Sequence, residues 1–189
     1  MKYFNYYKNI IVYIFLFQVI ILALPQARLF TMDELVNESN FIVSGKVISI
    51  SCFEGTNGRI YSDIKFQVSK VYKGHIQTKQ ELIFTFMGGT IGNRTTTVPE
   101  YPQFKENSES ILFMNNKSDD KESRNSFFIT GLTQGKFDII SNGDKIVRDK
   151  FMSIQININD GKENKFIDNK RSVSLSEFVR HLEFLIYKY

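Results

Sequence analysis

Two histidines, one cysteine and a glycine-rich loop are the residues of this 189-residue chain whose types invite chemistry. His75 follows Gly74 and His181 lies in the last apolar-periodic segment. Neither stands in HExxH or another ligand spacing, so no metal site is expected. The single Cys52 cannot form an intramolecular disulfide, and no histidine or basic cluster lies beside it in sequence to activate it. It reads as a half-buried structural thiol. Met87-Gly88-Gly89-Thr90-Ile91-Gly92-Asn93 has the glycine content of a phosphate cradle, but the Lys-Ser/Thr pair of a P-loop is missing and the spacing is not a dinucleotide fingerprint. The glycines are read instead as permitting positive φ and close backbone approach where a strand bends. No GxSxG occurs, and Asp119-Asp120 lacks the glycine and the distal glutamate of a calcium loop. No catalytic residue, metal or cofactor is assigned.

The elements that would position these groups are mostly strands. Arg59 to Gly74 carries Ile60, Ile64, Phe66 and Val68 on one parity and Asp63, Lys65, Gln67 and Ser69 on the other, the pattern of a half-buried strand. The alternation slips at Lys70, which predicts a β-bulge between Val68 and Val71. Phe41 to Phe53 is a preceding strand, apolar on both parities at its start, joined through the turn Glu54 to Gly58. Further strands are expected at Glu81 to Met87, Ser110 to Met114, Phe127 to Gly131, Gly135 to Ile140 and Lys145 to Arg148, the last two linked by an Asn142-Gly143 hairpin. Phe151 to Asn159 is an edge strand or an extended tail, and Lys117 to Asn125 a solvated loop. Thr31-Met32-Asp33-Glu34 and Ser174-Leu175-Ser176-Glu177 are capping boxes that open a short first helix and an amphipathic C-terminal helix over about 173–188. The latter helix is expected to cover a barrel mouth.

Lys2 and Lys8, the 15-residue apolar run Ile10 to Leu24 and Pro25-Gln26-Ala27 form a secretory signal peptide over residues 1–27, with an uncleaved N-terminal anchor as the alternative. These residues hold two basic groups and no acid, so the net charge of +4 falls to +2 over the remaining 162 residues. So small a surplus argues against nucleic acid binding. Residues 28–189 are read as one domain, and the 42% apolar content with 18 phenylalanines is ample for its core.

The order of a capped helix, FIVSGKVISI, IYSDIKFQVSKVYKG, a glycine-rich strand end, PQF before ILFM, and GLTQGKFDI resembles an exported bacterial family without assigned function. More distantly it is similar to netrin-like modules and the tissue inhibitors of metalloproteinases, over roughly Phe30 to Ile140. The resemblance implies a mainly β fold, an OB-fold-like five-stranded Greek-key barrel with flanking helices. The inhibitors cap a protease zinc with an N-terminal cysteine. Here the mature chain would begin at Arg28 and Cys52 is internal.

The expected function is an exported, non-enzymatic binding module, periplasmic or extracellular, with a protein or glycan partner. Its contacts are assigned to Gly88, Gly89, Arg94, Tyr101 and Gln134, which lie on loops of the scaffold. Regulation of a secreted protease without zinc capping is the alternative, and an unrecognised hydrolase ranks third.

Overall fold

The computed structural model describes residues 28–99, 101–116, 127–140, 144–148, 154–158, 163–167 and 172–188. The leader, the loop read at Lys117 to Asn125 and the Asn142-Gly143 turn lie outside the described residues.

The first helix, α1 (Met32–Glu38), begins where its sequence says it should. The Glu34 backbone N–H donates to Thr31 Oγ1 at 3.2 Å, and the Thr31 N–H donates to the Glu34 carboxylate at 2.8 Å. That backbone N–H, followed by the Arg28 guanidinium, holds the Glu34 carboxyl below its usual range. At the other end Lys73 Nζ donates to the Val36 carbonyl at 2.7 Å, one of the orphan acceptors a helix C-terminus leaves. Burial pushes the Lys73 ammonium pKa down.

Strands β1 (Phe41–Glu54), β2 (Ile60–Lys73) and β3 (Glu81–Met87) follow as an antiparallel meander. After the short β4 (Gly89–Ile91) and β5 (Arg94–Thr96) come β6 (Glu109–Asn116) and β7 (Phe127–Ile129). A 3-10 turn, Leu132–Gly135, leads to β8 (Lys136–Ile140) and β9 (Lys145–Arg148). A separate hairpin of β10 (Ile154–Ile158) and β11 (Glu163–Ile167) precedes the two-residue β12 (Val173–Ser174) and the helix α2 (Leu175–Lys188).

The main sheet runs in the order β12-β9-β8-β6-β1-β2-β3, with β7 pairing β6 beside β8. Its path ends at β3 on one side and β12 on the other, so the sheet is not a closed barrel. The expected closure fails because β8, β9 and β12 extend the sheet away from β3. The bulge expected near Lys70 is present. Ser44 pairs with Lys70 and Gly45 with Val68, which leaves Ser69 without a partner on β1. A second irregularity leaves out Tyr72, and a third on β1 leaves out Ile48. Each extra residue bends the strand and raises its twist, so β1 and β2 coil around the core on one side of the sheet.

Strand β6 shows how the two layers share the chain. Ile111 and Phe113 point into a core with α1, α2, Ile42, Phe137 and Ile146, while Leu112 and Met114 point into a second core with Val43, Phe66, Val68 and Phe84. Burial on both faces explains why this strand is an unbroken apolar run rather than an alternating one. The helix α2 therefore packs beside α1 on one face of the sheet, and not over a barrel mouth. Its capping box is formed, with the Glu177 N–H donating to Ser174 Oγ at 3.2 Å. The Lys165 ammonium, with Ser174, holds the Glu177 carboxyl below its usual range. Strand β11, which supplies Lys165 and the buried Ile167, is absent from the sequence reading because Glu163-Asn164-Lys165 masks its short apolar end.

His181 on α2 is buried between the helices, and burial depresses its pKa although the Asp33 carboxylate opposes the shift. Asp33 also carries an ion pair to Lys188 at 3.2 Å. A base whose folded pKa is depressed binds protons more readily in the unfolded chain. Its contribution is therefore complete above the ordinary histidine value of about 6.5 and is lost as the pH falls through it. The denaturation midpoint is expected to be lower at pH 5 than at pH 7.5, and His181→Gln should shrink that difference. An unchanged difference in the variant would place the pH dependence elsewhere.

Candidate functional site

Strand β3 delivers Phe86 and Met87 to the end of the sheet, and two glycines then redirect the chain. Gly88 and Gly89 have φ of 124° and 128°, a conformation side chains disfavour. A Cβ at Gly89 would lie 2.4 Å from Ser62 Oγ and 2.7 Å from Cys52 Sγ. Only glycine lets β4 pass this close to β1 and β2. The Gly88 N–H donates to the Ile60 carbonyl at 2.8 Å, and Ser62 Oγ donates to the Gly88 carbonyl at 2.7 Å. A hydroxyl has one proton to give. At the 3.3 Å contact between Ser62 and Cys52 the thiol is therefore the donor, which makes Cys52 a structural hydrogen-bonding group.

Strands β4 and β5 form a two-stranded hairpin in which Ile91 pairs with Arg94 across Gly92-Asn93. Gly92 takes a φ of 57° at the first central position, as a type II′ turn requires. Arg94 anchors the hairpin to the β1–β2 turn. Its guanidinium donates to both carboxylate oxygens of Glu54, at 3.0 and 3.4 Å, and to the Gly58 carbonyl at 3.2 Å. Two hydroxyls meet across the hairpin, Thr90 and Thr95, with their oxygens 3.0 Å apart.

Between the end of β3, this hairpin and the residues 97–98 and 101–104 lies a cleft of about 190 Å³. Its floor is aromatic. Phe86 stacks on Phe104 with centroids 5.9 Å apart and planes 23° apart, and Tyr101 tilts against the same ring at 5.6 Å. Phe84 continues the stack into the core at 6.4 Å. Beneath it Lys136 is 2% exposed, paired with Asp138, and its ammonium lies 5.2 Å from the centre of the Phe104 ring. The buried cation braces the floor from behind through the ring quadrupole. Ser110, opposite Asp138 in register, is fully buried, and its hydroxyl has no partner among the described residues.

The cleft walls carry Thr90, Thr95, Thr96, Thr97 and Gln103, and no described lining residue is charged. Chemically, such a lining can offer a ligand aromatic surface together with groups that both donate and accept.

Of the residues singled out in the sequence, Gly88, Gly89 and Tyr101 come together as lining of this cleft. Arg94 lies on the adjoining hairpin, where its guanidinium is engaged by Glu54 and Gly58. Gln134 is not among the lining residues. It is 6% exposed in the 3-10 turn, where its side-chain oxygen accepts from the Phe30 N–H and its amide nitrogen donates to the Arg28 carbonyl, each at 2.8 Å. It straps the entry to α1 onto the sheet. His75 is exposed and lies apart from the cleft lining, and among the described residues no group of three His, Cys, Asp or Glu side chains is placed to hold a metal.

Sequence reading misses Phe86, Phe104, Ser62 and Thr95 to Thr97 as site residues. The available signal was the three-threonine run immediately after a glycine hairpin, a concentration of hydroxyls with no charge. No protein-family model, no curated protein and no solved structure matches the chain.

Proposed function

We propose that this chain is an exported, non-enzymatic binding module that receives a protein or glycan partner in the cleft beside the β4–β5 hairpin. The observation that carries the reading is the lining itself: rings, threonine hydroxyls and backbone groups on a hairpin that depends on Gly89 for its place. Such groups hold a ligand by stacking and hydrogen bonding, and a mostly preformed cleft spends little on ordering. The basic, apolar and small-residue order of positions 1–27 supports export. Among the described residues no helix is long and apolar enough to cross a membrane.

The scaffold is read as an opened OB-type barrel. Strand β1 is paired along both edges, to β2 and to β6, β2 is bulged, and β7 approaches β3 across the second core. In such barrels the loops and the exposed strand face carry the ligand, which is where this cleft lies.

The test uses the immobilised full chain and its native exported fraction, with proteins and glycans analysed separately. Tyr101→Ala is expected to reduce retention of the partner by roughly 30-fold, the effect of losing an aromatic anchor of about 2 kcal/mol. Phe184→Ala, an exposed position on α2 across the sheet, should leave retention unchanged. Equal retention by wild type and Tyr101→Ala, or a loss confined to Phe184→Ala, would overturn the assignment of the cleft.

A further inference from the structure

We infer that the cleft binds a neutral sugar ring at the end or along the length of a glycan, an inference that rests on the binding reading above and narrows its ligand. The size of the cleft is the first reason. At about 190 Å³ it lies below the 300–1,000 Å³ typical of sites for larger small molecules, and it has room for one ring-sized unit.

The floor is the second reason. The near-parallel Phe86 and Phe104 rings, with Tyr101 tilted against Phe86, offer aromatic surface beside the cavity. An aromatic face is electron-rich and attracts the partly positive hydrogens on its partner. The apolar face of a pyranose presents C–H groups of that kind, while its hydroxyls radiate from the ring edge. Those hydroxyls each donate and accept. The walls carry groups of the same versatility in Thr96, Thr97 and Tyr101, beside the Thr90–Thr95 hydroxyl pair and the Gln103 amide, whose nitrogen donates to the Tyr101 carbonyl at 3.3 Å.

The third reason is charge. A uronic acid, a sulfated sugar, a phosphate or a peptide terminus would call for a cation or an anion in the wall, and no described lining residue supplies one. Lys136 lies behind Phe104 and is 2% exposed, so its charge acts on the ring and not on the ligand. An extended peptide adding to a sheet edge would need a run of free backbone groups along the cleft. The three-residue β4 and β5 that border it pair with each other, and β3 reaches it only with its last residues, Phe86 and Met87. A proline ring stacked on Phe86 is the closest competitor, since polyproline segments also dock on aromatic surfaces, but it offers no donors for the threonine wall.

The experiment is ligand-observed saturation-transfer NMR on the full chain. The probes are neutral gluco-, manno- and N-acetylglucosamine oligosaccharides, an oligogalacturonate and a decaproline peptide. The expected result is transfer to ring C–H protons of at least one neutral oligosaccharide, with affinity unchanged between 50 and 500 mM salt on the order-of-magnitude expectation that an uncharged contact is unscreened. Tyr101→Ala should reduce that affinity at least about tenfold, and the near-isosteric Thr96→Val at least about threefold, since an unanswered buried hydroxyl costs affinity. Circular dichroism confirms that both variants are folded.

Transfer to decaproline alone, lost in Tyr101→Ala, would overturn the sugar inference while leaving the cleft as the binding site. Binding only of the oligogalacturonate, no binding of any neutral glycan, or neutral-glycan binding that ignores both substitutions would also overturn it. Failure of the cleft reading itself is read separately, from retention of the native partner by Tyr101→Ala.

Discussion

Phe137→Ala is expected to destabilise the protein by about 3–5 kcal/mol, the usual cost of removing a fully buried phenylalanine. For a chain of this length that corresponds to a fall in the thermal midpoint on the order of 10 °C. Phe137 is 0% exposed on β8, and its ring centre lies 5.5 Å from that of Phe113 on β6 and 5.0 Å from that of Phe178 on α2. It therefore joins two neighbouring strands to the C-terminal helix. Truncation removes those contacts and leaves a cavity that the paired strands cannot collapse to fill, because β6 and β8 are held by their ladder. Phe137→Leu keeps much of the volume and should cost substantially less. Denaturant titration followed by circular dichroism measures both. A loss below about 1 kcal/mol for the alanine variant would mean that α2 is not packed on this face of the sheet.

Gly89→Val is expected to cost on the order of 3 kcal/mol and to abolish ligand binding, from two additive sources. The first is a φ of 128°, strained for any branched side chain. The second is collision of its Cβ with Ser62 Oγ and Cys52 Sγ, at 2.4 and 2.7 Å, which pushes β4 away from β1 and β2. Gly92→Ala separates the two sources. Its φ is 57° but nothing lies within 4 Å of its Cβ, so it carries backbone strain of about 1 kcal/mol and no clash. Chemical denaturation of both variants, together with the binding measurement, should show a large effect at residue 89 and a small one at residue 92. Equal effects would show that the approach of β4 to β2 is not what fixes the cleft.

Local rules made much of the chain legible before any coordinates. Both capping boxes are present, because their hydrogen bonds join residues three apart and need no tertiary partner. The β1–β2 hairpin and β3 follow from alternation, and the slip at Lys70 marks the unpaired Ser69. What alternation does not contain is the far edge of each strand. Nothing local to β8 or β9 says that they extend the sheet outward from β6, and this is why closure into a barrel was expected and an open sheet is found. The placement of α2 over a barrel mouth fell with it.

The site was legible in its glycines and not in its floor. Gly88 and Gly89 announce an unusual backbone in any context. Phe86 reads in sequence as one more apolar residue of β3, and its neighbours Tyr101 and Phe104 reach it only through the fold. Gln134 illustrates the converse. A polar residue beside Gly135 in a loop looks available to a ligand, but Gly131 takes a left-handed φ of 63° and starts the 3-10 turn in which both ends of the Gln134 amide are used by the Arg28 and Phe30 backbone.

The most direct test of the cleft is site-specific crosslinking. A photoreactive benzoyl group is placed at position 101 in one version of the full chain and at position 184 in another, and each is irradiated in the native exported fraction. The expected result is a discrete adduct from position 101 that an excess of unlabelled protein suppresses, with none from the exposed Phe184 site on the helical side. Adducts from position 184 but not from position 101 would contradict the assignment of the binding site to the cleft beside the β4–β5 hairpin.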